Sequence, residues 1–138
     1  MRVAIKRLLA TVLTLAMLTP AMAGVTVIDG DTVDIDGTRI RILHIDTPET
    51  FRSRCDNELK LGLAAKERLI ELLDKGDVSY TPDGLDRYGR TLATVYAGTV
   101  DVGDVLLKEG HALSYVPGPE AKTKRLATWC PKAQRQEQ

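Results

Sequence analysis

Residues 25–45 constrain the fold more than any other stretch. Val25 to Ile28 and Thr32 to Ile35 are short β-branched runs separated by Asp29-Gly30-Asp31. Asp36-Gly37 follows at once, and a glycine that accepts positive φ makes this pair a strong hairpin turn. In the run Thr38 to Ile45, Ile40 and Ile42 share one face and Arg39 and Arg41 the other. Three short strands are therefore expected before residue 46.

The rest of the chain changes period. Asp46 to Arg54 reads as a loop punctuated by Pro48. Asp56 or Asn57 can cap a helix from about Glu58 to Asp74, with Leu59, Leu63, Ile70 and Leu73, helped by Leu69, at helical spacing. Gly76 is a fitting stop. Val78 to Thr81 reads as a strand, Pro82 to Arg90 as a polar loop, and Thr91 to Tyr96 as another strand. Asp101 caps a short helix ending at Gly110, Ala112 to Val116 is extended, and Glu120 to Trp129 forms a last helix after Pro117-Gly118-Pro119. Three strands, a helix, two strands and short helices suit a small barrel with one end covered. The expected class is α+β, mostly β, with a five-stranded OB-fold barrel and about three helices.

The N-terminus has the layout of a secretory signal: Arg2, Lys6 and Arg7, then the apolar run Leu8 to Leu18, then Pro20 and Ala21-Met22-Ala23. The run is shorter than the roughly 20 residues a membrane span needs. Residues 1–23 are read as a signal peptide cleaved after Ala23. Residues 24–138 then form a single domain, secreted or periplasmic, without stable membrane association and expected as a monomer. Cleavage takes three basic and no acidic residues from 19 and 19, leaving 16 against 19 and a net charge of about −3. Such a domain does not coat nucleic acid by bulk charge, so any polyanion must be met by a local cluster. Cys55 and Cys130 can pair in only one way, and export favours the bridge over two free thiols.

Two acidic clusters could do chemistry, Asp29-Gly30-Asp31-Thr32 and Asp46-Thr47-Pro48-Glu49. Carboxylates and backbone carbonyls are hard donors suited to calcium or magnesium. His44 and His111 are too few and too scattered for zinc. Gly30 permits close backbone approach, and Pro48 directs the loop that carries Glu49. Taken alone, Asp-Gly-Asp is more often a simple turn. Arg41 leads directly to Asp46, and Arg90 closes Asp86-Arg87-Tyr88-Gly89-Arg90. Guanidinium groups grip phosphate oxygens in pairs and stay charged, although most arginines are merely exposed.

With Ile28-Asp29-Gly30-Asp31-Thr32, then Arg41 through Asp46-Thr47-Pro48-Glu49, then Asp86-Arg87-Tyr88-Gly89-Arg90 in this order, the chain resembles the staphylococcal nuclease (thermonuclease) family from about Val25 to Pro117. The resemblance implies an OB barrel with helices. It implies a calcium ion held by Asp31, Asp46 and the carbonyl of Thr47. Glu49 would be a general base or a water-positioning group, and Arg41 and Arg90 would hold the scissile phosphate. Arg87 corresponds to a basic residue that binds a terminal phosphate, and Tyr115 to one of two tyrosines flanking the substrate; Pro117 stands at the second. Arg52 and Arg54 stand in a loop that is longer and more basic in the best-known member. The implied activity is a calcium-dependent endonuclease acting on DNA and RNA with little sequence preference.

Two other classes compete. A non-catalytic OB-fold module would bind nucleic acid or protein, but it would not need both aspartates, the glutamate and both arginines. A disulfide-stapled structural domain would explain Cys55 and Cys130 alone. His44 and His111 are expected to be structural, Trp129 to be packed, and Tyr80, Tyr88 and Tyr96 to sit in the core or its rim. Tyr115 divides between substrate contact and packing, and Lys122 to Arg125 reads as a solvated helix face.

Overall fold

The computed structural model describes residues 24–131. The expected signal peptide, residues 1–23, and the polar tail, residues 132–138, lie outside the described residues. The elements in order are β1 (Val25–Asp29), β2 (Thr32–Ile35), β3 (Thr38–Ile42), β4 (Ile45–Asp46), α1 (Asp56–Leu73), β5 (Val78–Leu85), β6 (Thr91–Ala97), β7 (Val100–Asp101), α2 (Val102–Lys108), β8 (Leu113–Ser114) and α3 (Pro119–Trp129).

The main sheet runs β1-β2-β3-β6-β5, with β7 paired to β6. Five strands therefore make the principal path, as expected, and three helices accompany them. The two ends of this path, β1 and β5, are not hydrogen-bonded to each other, so the OB-like sheet is open. β3 and β6 are parallel, with Arg41 beside Leu92, and the other neighbours are antiparallel. The β2–β3 turn uses positive φ at both Asp36 and Gly37, the geometry that matches the right-handed twist of a hairpin. β4 leaves the main sheet and pairs with β8. The core lies between sheet and helices: Val33, Ile40, Ile42, Val95, Leu69 and Leu106 are all buried.

Three expectations change. The cap of α1 is Cys55, not Asp56 or Asn57; its sulfur accepts from the Glu58 amide at 3.4 Å. β5 continues through Pro82 to Leu85. Proline is tolerated there because β5 is an edge strand, and the pairing register shifts between Pro82 and Leu85. The buried face of α1 is Glu58, Gly62, Ala65, Leu69, Leu72 and Leu73, whereas Leu63 is 52% exposed. The reason is space. A Cβ on Gly62 would lie 2.6 Å from the Pro48 carbonyl, and one on Gly30 would lie 2.8 Å from the Ala65 Cβ and the Thr47 hydroxyl. Small residues fit this seam because α1 backs directly onto both acidic turns. Among the described residues no helix is long and apolar enough to cross a membrane.

Candidate active site

The two acidic turns converge on Arg41. Its strand, β3, ends at Ile42, and His44 adopts φ of 64°, which folds the chain back so that β4 begins at Ile45. The Arg41 guanidinium donates through one terminal nitrogen to the carbonyls of Ile42 and Ile45, both at 2.9 Å. Its other terminal nitrogen lies 3.0 Å from Asp46 Oδ1 and 3.2 Å from Asp31 Oδ2. Asp31 Oδ2 also accepts from the Thr47 amide at 3.0 Å, and Oδ1 accepts from the Thr32 hydroxyl at 3.0 Å. Asp31, Asp46, Thr47 and Arg41 thus form one contiguous cluster.

Asp29 and Glu49 border it. Asp29 Oδ1 accepts from the Gly30 amide and from the Thr50 hydroxyl, tying the second acidic loop to the first. Burial pushes the carboxyls of Asp29, Asp46 and Glu49 above the ordinary carboxylate range. For Glu49 the neighbouring charges of Asp31, Asp29, Asp46 and Glu58 push the same way. For Asp46 the hydrogen bond from Arg125 pulls back without cancelling the effect. The crowded negative charge needs compensation, and the available oxygens are hard donors. That chemistry fits a divalent cation held by Asp31, Asp46 and the Thr47 carbonyl. Among the described residues no three His, Cys, Asp or Glu side chains converge as a ready-made cage, so backbone carbonyls and water would complete such a shell.

The second arginine stands apart. Arg90 lies at the β5–β6 junction, one residue before the Thr91 that pairs with Ile40 of β3. Its guanidinium is engaged by Asp86 Oδ2 at 2.6 Å, and its amide donates to Asp86 Oδ1 at 2.9 Å. Burial would raise the Asp86 carboxyl, but the bonds from the Arg90 amide, the Arg90 side chain and the Tyr88 amide together hold it low. The Arg87 and Arg90 guanidinium groups lie 4.8 and 5.6 Å from the Tyr88 ring centroid. Tyr88 is therefore an exposed loop residue close to two cations, not a core or rim residue. The structure joins Arg90, Arg87 and Tyr88 to one another and leaves them out of direct contact with Asp31, Asp46 and Glu49.

Two participants escaped the sequence reading. Arg125 of α3 is buried, not part of a solvated face. Its Nε donates to Asp46 Oδ2 at 2.7 Å, one terminal nitrogen donates to the Val116 carbonyl at 2.9 Å, and the guanidinium lies 5.3 Å from the ring centroid of Tyr115. Tyr115 is thus exposed on one side and tied to the acidic cluster on the other. Glu58 is fully buried; Oε1 accepts from the Glu49 amide at 3.4 Å and Oε2 from the Arg54 amide at 2.6 Å. The spacing Cys55-x-x-Glu58, a capping-box position, was the available signal for Glu58. For Arg125 the signal was its place five residues before a cysteine that pairs with Cys55, whose S–S distance is 2.00 Å.

A family model described as "Staphylococcal nuclease homologue" matches residues 39–138. The chain is 32% identical over 104 residues to "Micrococcal nuclease" of Shigella flexneri, covering 66% of this chain and 56% of that protein. It is 35% identical over 123 residues to "Endonuclease YncB" of Bacillus subtilis, covering 74% and 58%. With "Thermonuclease" of Staphylococcus hyicus it shares 36% identity over 104 residues, covering 71% and 61%. The chain spans about half the length of the first of these curated relatives.

Proposed function

The chain belongs to the staphylococcal nuclease family, and we propose that it is itself a calcium-dependent endonuclease that hydrolyses phosphodiester bonds of DNA and RNA. One observation carries the reading: Asp31, Asp46, Thr47 and Arg41 meet within hydrogen-bonding distance while Glu49 stands beside them with its carboxyl pushed upward. The names of the relatives support the reaction class.

In this reading Asp31, Asp46 and the Thr47 carbonyl would hold calcium, which would supply charge neutralisation and polarisation of the phosphate. Arg41, fixed by two backbone carbonyls, presents a guanidinium that cannot swing away, and so orients a phosphate oxygen with little loss of entropy. Arg90 and Arg87 receive phosphate oxygens from the β5–β6 side, Arg90 leaving or sharing Asp86 to do so. Glu49 accepts a proton from water, or orients that water. A carboxyl raised by burial and like charges is, once ionised, a better base than an ordinary one. Tyr115 flanks the strand. Neither base identity nor the sugar enters this scheme, which supports both nucleic acids as substrates. The signal-like layout of residues 1–23 and the Cys55–Cys130 bridge support an exported protein.

The test is digestion of linear single-stranded DNA and of RNA by the purified chain with calcium, with magnesium and with EGTA. Cleavage that EGTA abolishes is expected. Glu49→Gln should lower the rate about 10²–10⁴-fold with an unchanged circular dichroism spectrum. Activity within a few-fold of the parent removes Glu49 from the chemistry. No cleavage in any metal by folded protein replaces this reading with the non-catalytic binding module.

A further inference from the structure

Phe51 is the only phenylalanine in the chain and is 75% exposed. A large ring left in water on a slack loop would need no explanation, but this loop is not slack. Pro48 beneath it is buried, and Thr50 is bonded to Asp29 at 3.2 Å. The buried carboxylate of Glu58 accepts the Glu49 amide with one oxygen and the Arg54 amide with the other, so a single side chain closes both ends of the loop. Cys55, the next residue, is bridged to Cys130. A loop pinned at each end projects an exposed aromatic ring. Arg52 and Arg54 beside it are exposed as well.

We propose that this loop is a stacking platform for one unpaired base of a single-stranded nucleic acid, with Phe51 against the base and Arg52 and Arg54 on the adjoining phosphates. Every base has a π-face, so stacking is tolerant of sequence, and a pinned ring loses little freedom when it is covered. Exposed Arg52, and exposed Arg54 whose guanidinium lies 3.9 Å from the buried Glu58 carboxylate, bring positive charge to the loop that carries Glu49, which complements a polyanion. Phe51 is two residues from Glu49, within about 7 Å along the chain, so the base it meets belongs to a nucleotide next to the reacting phosphate. In a duplex the same face is already stacked on its neighbour, and the ring finds no partner. The identity of the polyanion rests on the nuclease reading above; the platform itself rests on the loop.

The experiment measures binding by fluorescence anisotropy with a labelled single-stranded oligonucleotide and with the same sequence as a blunt duplex. It uses the Glu49→Gln protein in calcium so that the strand survives. Phe51→Ala should raise Kd for the single strand about 5- to 100-fold and change the duplex less than twofold. Phe51→Trp should keep the parent affinity. One abasic sugar is then walked along the strand. At one position it should weaken the parent and leave Phe51→Ala unaffected, because both changes remove the same contact. Thermal unfolding of Phe51→Ala should match the parent, since the ring is exposed. Equal single-strand Kd for parent and Phe51→Ala, equal losses on strand and duplex, or no abasic position whose effect vanishes would each overturn the proposal. Phe51-dependent binding, with no cleavage in any metal by the folded chain that keeps Glu49, would remove the nuclease reading and leave the platform; cleavage by that chain with Phe51-independent binding would do the reverse.

Discussion

Replacing Cys55 and Cys130 together by serine tests what the bridge contributes. The cysteines are 75 positions apart. If the bridge acts by restricting the unfolded chain, closing a loop of that length stabilises the fold by about 4.5 kcal/mol at 25 °C. Serine is a better helix cap than a sulfur, so Cys55→Ser should recover roughly 0.5–1 kcal/mol at the start of α1, where Cys55 accepts the Glu58 amide. The expected net loss is about 3–4 kcal/mol, a large share of the roughly 5–15 kcal/mol that a domain of this size possesses. At about 4–8 °C per kcal/mol the midpoint should fall by roughly 12–30 °C. Trp129 is the only tryptophan, is buried, and adjoins Cys130, so its fluorescence reports the transition in a urea titration. The m-value should also rise, because an uncrosslinked unfolded chain exposes more surface. The reduced parent should behave like the double variant apart from the cap. A loss under about 1 kcal/mol in both would refute the loop-closure argument.

Gly62→Ala would place a methyl 2.6 Å from the Pro48 carbonyl; a stability loss of about 1–3 kcal/mol and a fall in activity larger than for Leu63→Ala are expected by urea titration and digestion. Arg125→Met should destabilise by roughly 2 kcal/mol in the same titration, less than the 3–5 kcal/mol of a fully buried broken pair because Asp46 keeps Arg41. Asp29, Asp46 and Glu49 are each raised chiefly by burial, so folded protein binds more protons than unfolded and these groups erode stability as pH rises through their folded values. Of these only Asp46 is a proposed cation ligand, and a cation requires it ionised, so the Tm gain from calcium should shrink as pH falls and grow as pH rises; a gain independent of pH would contradict the carboxylate site.

Local chemistry was legible wherever one residue type decided it. Asp36-Gly37 set the β2–β3 hairpin, Asp101 capped α2 with bonds to the Gly103 and Asp104 amides, and the two acidic turns fell where the strands end. The face of α1 was misread because hydrophobic spacing assumes that apolar residues seek the core. Leu69 and Leu73 are buried as expected, but the tight contacts run along Gly62, against the Pro48 and Glu49 carbonyls, and Ala65, against Gly30, and Leu63 and Ile70 lie outside. Arg125 was misread for a different reason. Its partner Asp46 is 79 positions away, and no periodicity connects them. Pro82 read as a loop residue because sequence alone does not say which strand lies at an edge.

His44 links these levels. Positive φ at a histidine is unfavourable and persists only where the surroundings over-determine it. The surroundings here are specific. The kink returns the Ile45 carbonyl to the Arg41 guanidinium at 2.9 Å, and the His44 carbonyl accepts the Tyr115 amide at 2.8 Å. One strained residue therefore sets Arg41 on one side, sets Tyr115 on the other, and directs Asp46 between Arg41 and Arg125. Burial alone explains neither bond, because His44 is exposed. The histidine that was expected to be structural is so in a restricted sense: its backbone, not its ring, fixes the spacing between the arginine that meets the acidic cluster and the tyrosine that borders it. Glycine at that point could adopt the same positive φ without strain and would keep both backbone carbonyls, so His44→Gly should cost only the entropy of a freer unfolded chain, and thermal unfolding would show a change within about 1 kcal/mol.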